Sequence, residues 1–518
     1  MPVERIDNAS GTAKRPGIAL AAVTAVLFVT FLDTTVVSVA LGDIRHDFGT
    51  GVVLLQWVVN AYTLVFAGLM LAGGSLGDRW GRKRVMIVGL VIFCAGSVVA
   101  AMAASVHALI AGRAIMGLGA AASEPGTLSL LRHIYPDERK RARAIGVWAA
   151  VSGLALAAGP VLGGALVNAY GWQSIFWFNL IIGAAALVVA LWSVPESADP
   201  HPGPIDWAGI VLGALFLGAV IYAATSGENV GYGAPSVIAL FVLGAVAFAG
   251  FVVVETRARA PMLDFRYLRL PAVRGSLVVA FAVYFGIFSI FFFTALYLQV
   301  TQSYSGSRTA TVFAPMAIAI VVGSLATGFW VARFGSRVPM IVGCVIGAAG
   351  ILLTRYMLGT IPPDDVSLSS AMAVAGLGFG VAVVPLTSAV LSGVPAAHSG
   401  MAAAVTNTMR QVGSAIGVAV LGALVNALLT SDMQEKMTAA GLPANLQPAA
   451  IDAAERGRFP YDLKPYANYL SKLHELIDTA KTAFHHGLDI ALLVSAILIL
   501  VAAAFSAVDG VLSRKRDA

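Results

Sequence analysis

The sequence predicts an all-α membrane protein of 14 transmembrane helices, built as two six-helix pseudo-repeat bundles plus two inserted helices. Three observations predict it. Apolar residues make up 58% of the 518 and charged residues only 12%, about half the charge fraction of a soluble chain. The apolar residues come in runs such as 85–102 and 209–224, which carry no charge and approach the ~20 residues a helix needs to cross the hydrocarbon core. The two halves of the chain also resemble each other. Lipid tolerates only helices or closed barrels, and these runs are too continuous for the alternating strands of a barrel.

Taken in order, the first bundle (1–197) holds spans at 17–41, 53–76, 85–105, 107–130, 143–167 and 175–194. An insertion (198–262) holds two more, at 206–225 and 235–254. The second bundle (263–518) holds 275–300, 309–331, 339–358, 368–392, 401–428 and 487–507. Its only sizeable hydrophilic segment is the loop 429–486, broken by Pro443, Pro448, Pro460 and Pro465. At the end of that loop, Leu470, Leu473, Ile477, Ala480 and Phe484 share one helical face, which predicts a short amphipathic helix on the outer membrane surface. An extracytoplasmic partner through 429–486 stays open beside the plainer reading of a solvated loop.

Basic residues set the orientation. Lys and Arg cluster before the first span, at 79–84, 132–143, 257–274, 333–337 and 514–516, all on one side. The short loops of the other side hold Arg45, Arg308 and Arg355. Both termini are therefore expected in the cytoplasm. The pI of 9.3 reflects this topology and contact with anionic lipid, not nucleic acid. No cleavable signal pattern precedes the first span. Cys94 and Cys344 lie inside apolar spans and read as buried small residues. There is no P-loop for ATP, no metal-ligand spacing around His485 and His486, and no nucleophile–base constellation for an enzyme.

The repeat is visible residue by residue. Gly74, Arg79, Trp80, Gly81 and Lys83 after the second span match Gly328, Arg333, Phe334, Gly335 and Arg337 after the tenth. Gly117-Leu118-Gly119 before Pro125 in the fourth span matches Gly376-Leu377-Gly378 before Pro385 in the twelfth. Transporters are commonly built from such repeats, with the substrate site between them near the bilayer midplane.

Five stretches together resemble the major facilitator superfamily, in particular its fourteen-helix drug:proton antiporters of the EmrB/QacA type. They are 74–84 between the second and third spans; 32–41 in the first, where Ser38 stands for a more usual Asn; Trp57 with Asn60 and Tyr62; 109–119 with Arg113; and 153–164. The resemblance covers nearly the whole chain. It implies proton-coupled efflux of hydrophobic or cationic drugs or metabolites. It further implies a small-molecule substrate, protons as coupling ion with no other cofactor, and a monomer in the cytoplasmic membrane of a bacterium. A dedicated exporter of one antibiotic, siderophore or lipid, a proton-coupled uptake symporter, and a non-transporting receptor remain as alternatives. The receptor leaves the buried charges without a purpose.

The residues carry chemistry of their own. Asp78 sits at a helix end among Arg79, Gly81, Arg82, Lys83 and Arg84, where a carboxylate can latch this loop to neighbouring helix ends in one transport state. The second copy has Ala332 in its place, so the latch is expected in the first half. Gly153, Ala157, Pro160 and Gly164 form one stripe of the fifth helix, and Gly159 and Gly163 complete the antiporter motif. Small residues permit close backbone approach, and proline bends the helix.

Ionisable residues within spans are few: Asp33, Arg113, Glu124 and Arg410. Each costs at least ~2.5–3.5 kcal/mol at a helix centre. Eleven residues, about three turns, separate Arg113 from Glu124, so both point the same way roughly 16 Å apart, and this face is expected to line a wet cavity through Gly117. Burial favours a protonated carboxyl and a neighbouring arginine an ionised one. Asp33 and Glu124 are therefore candidates for proton carriage or cation contact, tuned by Arg113. Arg410 lies near the cytoplasmic end of its span, where snorkelling accounts for it. Asn60, Tyr62, Tyr284, Phe288, Phe292, Tyr297, Asn407 and Arg410 are candidates for the substrate pocket, while lipid contact remains an equal reading of the Phe-rich ninth span.

Overall fold

A computed structural model describes residues 15–50, 52–200, 203–258, 261–359, 363–439, 447 and 470–517. Among them the long elements are all helices: α1 (Pro16–Val36), α2 (Leu41–Phe48), α3 (Val52–Trp80), α4 (Arg82–Ala101), α5 (Val106–Ile134), α6 (Glu138–Tyr170) and α7 (Gln173–Ser193). Then follow α8 (Trp207–Val230), α9 (Pro235–Arg257), α10 (Phe265–Leu268), α11 (Pro271–Leu296), α12 (Gly306–Phe334), α13 (Arg337–Leu358), α14 (Asp365–Gly393), α15 (Ser399–Ala439) and α16 (Leu470–Asp517). Thirteen helices in the described residues are long and apolar enough to cross a membrane; the first runs from α1 through a 3-10 turn into α2. The fourteenth span is α6, bent by 47° between Glu138–Leu156 and Val161–Tyr170. The sequence has a proline in that break, at 160, and a proline inside a helix has no N–H to give to the helical ladder. Polar caps start several helices: Ser105, Asp137, Asp206, Ser305 and Asp364 each accept a first-turn N–H.

Helix neighbours repeat between the halves. In the first, α3 and α4 pack on α5, α1 packs on α6 and α7, and α4 packs on α7. In the second, α12 and α13 pack on α14, α11 packs on α15 and α16, and α13 packs on α16. The halves meet by the same rule, α6 against α12 and α15 against α3. The paired Gly-Leu-Gly motifs do the same work in both copies. Gly117 abuts the Tyr62 carbonyl of α3 and Gly376 the Met316 carbonyl of α12; Gly119 abuts α4 at Phe93 and Gly378 abuts α13 at Gly347. A side chain at any of the four would strike backbone, and close packing in lipid depends on such small residues.

The inserted helices α8 and α9 pack on each other, and α8 lies against both α3 and α15. It therefore touches one helix from each half. One sequence expectation needs correction here. The segment read as the loop 429–486 begins and ends as helix, since α15 continues to Ala439 and α16 begins at Leu470. The stretch 470–484 is the start of the last spanning helix, not a separate surface helix. Helix propagation is cheap once a nucleus exists, and no proline interrupts 470–517. The prolines at 443, 448, 460 and 465 lie outside the described residues.

Candidate functional site

Two polar groups occupy the middle of the molecule. The first is inside the N-terminal bundle. Asp33 on α1 and Arg113 on α5 form an ion pair with both side chains fully buried. The other Asp33 oxygen accepts a hydrogen bond from Asn179 Nδ2 of α7 at 2.7 Å. Arg113 Nε donates to the Val58 carbonyl at 2.9 Å, and its guanidinium lies 4.5 Å from the centre of the Tyr62 ring. Tyr62 in turn donates to the Thr30 carbonyl at 2.9 Å. Four helices thus converge on one charge pair, which offsets the desolvation of both ions.

The second group lines a cavity of about 410 Å³ between the halves, within the size range of small-molecule sites. Glu124 of α5 accepts a hydrogen bond from Asn407 Nδ2 of α15 at 2.7 Å, and its Oε1 has no partner. The Asn407 oxygen accepts from Arg410 Nη1 at 2.9 Å. A single amide therefore joins an acid of one half to a base of the other. The Arg410 guanidinium lies 4.4 Å from the ring centre of Tyr284, 5.0 Å from Trp148 and 5.3 Å from Phe31, an aromatic enclosure that stabilises a cation. Asn60, Phe288 and Phe292 add to the lining, and α8 contributes Ile221, Ala224 and Thr225.

One end of this cavity is sealed. Asp78, at the end of α3, accepts hydrogen bonds from Arg82 Nε and Nη2 at 2.8 and 2.6 Å and from the backbone N–H groups of Gly400 and Met401, both at 2.8 Å. Those two amides belong to the first turn of α15, so the carboxylate caps the positive end of a helix from the other half. Arg82 also donates to the carbonyls of Ala396 and Ala397. Arg132 reaches the Leu391 and Val394 carbonyls, and Arg141 the Ser392 hydroxyl. Glu196 caps α4 by accepting from the N–H groups of Lys83 and Arg84. Gly81 has φ +108°, and a Cβ there would stand 2.7 Å from the Glu196 carboxylate, so the sequence needs glycine at this turn. From the sealed end the cavity runs past Glu124 and Met70 towards Leu41, Gln56 and Val418, at the opposite end of the helices.

Asp78→Ala tests the seal. Each charge-assisted hydrogen bond is worth about 1.5–3 kcal/mol, so losing the carboxylate shifts the population towards opening of this end by roughly tenfold or more. Spin labels at Arg139 and Ala396 should report a longer distance. An unchanged distance distribution would show that Asp78 does not hold the halves together.

The placement of the predicted residues is mixed. Glu124, Asn60, Tyr284, Phe288, Phe292, Asn407 and Arg410 line the cavity. Asp33 and Arg113 do not; they pair beside it, so the expected wet face running from Arg113 through Gly117 to Glu124 is corrected. The face of α5 is continuous, but its neighbours change along it: α1 and α7 supply partners at Arg113, α15 at Glu124. Tyr62 is withdrawn from the pocket, because its hydroxyl is tied to α1. Tyr297 is withdrawn too, stacked at 6.3 Å on Phe484 of α16 with its hydroxyl accepting from Gln302. Arg410 does not snorkel, being 3% exposed. In the α6 motif, Gly159 and Gly163 abut α1 at Thr35 and Val36, and Gly153 abuts Ile320 of α12, whereas Gly164 has open space beside it. Sequence reasoning missed Asn179, an amide in an otherwise apolar span, and the cavity-lining face of α8. It also missed Glu196 and Arg132.

The sequence model of the Major Facilitator Superfamily matches residues 23–418. The chain is 34% identical over 413 residues to the multidrug resistance protein Stp of Mycobacterium tuberculosis, covering 79% of this chain and 75% of that one. It is 32% identical over 505 residues to the multidrug efflux pump LfrA of Mycolicibacterium smegmatis (97% and 98% covered). To the tetracenomycin C resistance and export protein of Streptomyces glaucescens it is 31% identical over 504 residues (96% and 92%). Among solved structures, the proton:xylose symporter XylE superposes with a TM-score of 0.59 at 15% identity, covering 95% of this chain and 94% of that one, a likeness of fold.

Proposed function

The chain belongs to the major facilitator superfamily, in its fourteen-helix drug:proton antiporter branch, and on that premise we propose that it exports hydrophobic or cationic aromatic small molecules in exchange for protons. It is a transporter and not an enzyme. The observation that carries the reading is Glu124: a buried acid with a free oxygen, lining the central cavity and joined through Asn407 to the opposite half. A proton and a cationic substrate group compete for one carboxylate, and a site that holds only one of them at a time couples their movements. Asp33 with Arg113 forms a second proton-sensitive centre, since protonating Asp33 removes the counter-charge of a buried arginine. Rearrangement there bears on α1, α3, α5 and α7 together.

In this reading the Asp78 end is cytoplasmic, as the basic loops demand, so the conformation described above is closed to the cytoplasm. The units 1–197 and 263–518 rock about the cavity. The inserted unit 198–262 lies along the gap between them. Protons are the coupling ion, no further cofactor takes part, and the monomer is the working unit in a bacterial cytoplasmic membrane.

The test uses inverted vesicles holding the protein, an imposed pH gradient, and a panel of fluorescent lipophilic cations and neutral drugs. Antiport gives substrate accumulation with proton release on addition of dye. Solute movement in the same direction as protons would replace export by uptake, and accumulation without a proton flux would remove the coupling.

A further inference from the structure

The cavity carries one acid and one base, and the base has no carboxylate of its own. Arg410 is 3% exposed, and among the described residues its guanidinium hydrogen-bonds to neutral groups, Asn407 Oδ1 at 2.9 Å, Ser152 Oγ at 3.3 Å and the Tyr284 hydroxyl. Its Nε has no partner. Glu124, on the far side of the same Asn407 amide, is the acid that balances it, and Glu124 Oε1 is also without a partner. The aromatic residues Phe31, Tyr284, Phe288 and Phe292 line the space around this pair.

We infer that the cavity is built for planar aromatic molecules that carry a cationic group together with a carboxylate, phenolate or comparable acceptor: zwitterionic or amphoteric substrates, rather than plain lipophilic cations. The reasoning is electrostatic. With Glu124 ionised the group is neutral as a whole. A simple cation that engages Glu124 takes away the charge that balances Arg410 and leaves one uncompensated positive charge in a poorly hydrated space, where such an imbalance is costly. A zwitterion leaves the total at zero. Its cationic part meets Glu124 and its acceptor supplies Arg410 with the counter-charge the protein withholds, through planar donors suited to a carboxylate. A proton arriving at Glu124 then removes the partner of the cationic part only, so the substrate loses one anchor while Arg410 keeps the other until the halves move.

The inference rests on the cavity being the transport site, and its test separates the two. Tetramethylrhodamine and its methyl ester share one ring system; the first is a zwitterion at neutral pH and the second a monocation. Binding of each is measured by fluorescence anisotropy to the full-length protein in nanodiscs, for the unaltered chain, Arg410→Gln and Arg410→Lys. The zwitterion should bind about tenfold tighter, the scale of one charge-assisted hydrogen bond. Arg410→Gln should abolish that preference by weakening the acid and sparing or improving the ester. Arg410→Lys keeps the charge and should retain part of the preference, which guards against a merely misfolded variant. Equal or tighter binding of the ester, a preference that survives Arg410→Gln, or binding of neither dye would overturn the inference. Proton-coupled accumulation of the ester in vesicles, with no preference for the acid, would leave antiport standing and remove only the proposed selectivity.

Discussion

Arg113→Leu should yield a protein that folds poorly and does not transport, while the double variant Asp33→Asn/Arg113→Gln should regain stability and still not transport. Both ions of the pair are shielded from solvent, with relative exposures of 0% for Asp33 and 1% for Arg113. Removing one partner of such a pair costs about 3–5 kcal/mol, because the other is left charged without compensation. Asp33 would keep only Asn179, and Arg113's other contacts, the Val58 carbonyl and the Tyr62 ring, would be lost with it. The double variant replaces the pair by two amides that can hydrogen-bond to each other, so the penalty largely disappears. The measurements are the melting temperature in detergent and substrate accumulation in inverted vesicles under a pH gradient. The combination matters more than either result. If the pair merely holds α1 to α5, the double variant should transport normally. Recovered stability without transport would place the charge itself in the cycle, whereas an Arg113→Leu protein as stable and active as the parent would remove the pair from consideration.

How much of this was legible beforehand depended on range. The fourteen spans and the two-bundle repeat follow from hydropathy and from motifs at fixed offsets, which are local properties of the chain. Asp33, Arg113, Glu124 and Arg410 stood out because a charge in an apolar run has few innocent explanations. What sequence could not supply was partnership. Arg113 and Glu124 lie on one face of α5, yet one pairs with α1 and the other with α15, and helical periodicity does not say which neighbour covers which turn. Aromatic residues were harder still. Tyr284 and Tyr297 look alike in the sequence, but α11 gives way to a π-helical turn at Tyr297–Thr301, and Tyr297 stacks on the last helix instead of reaching the cavity. Asn179 was the one missed residue with a readable signal. The Asp78 latch was anticipated from its own loop, but not its receptor. That the carboxylate would cap α15 required knowing which helix begins opposite it.

Glu124→Gln should leave a well-folded protein that binds substrate yet cannot accumulate it against a gradient. The substitution is nearly isosteric, and a glutamine oxygen can still accept from Asn407 Nδ2, so the link between the halves at 2.7 Å survives and the melting temperature should fall only by what the lost counter-charge of Arg410 contributes. The loss is the negative charge and the proton-binding oxygen. In the parent, a fall in pH on the side to which the cavity opens protonates Glu124 and weakens binding of the substrate's cationic group. That pH dependence should flatten in the variant. Uphill accumulation should fall to the level of vesicles without protein, and dye-driven proton release should vanish with it, while substrate–substrate exchange, which needs no proton, should continue. Asp33→Asn provides the contrast: Asp33 lies outside the cavity, so that variant should keep a pH-dependent binding constant even where its transport fails. If Glu124→Gln still concentrates substrate under a pH gradient, the proton must be carried elsewhere, and Asp33, the fully buried carboxylate paired with Arg113, is the next to test.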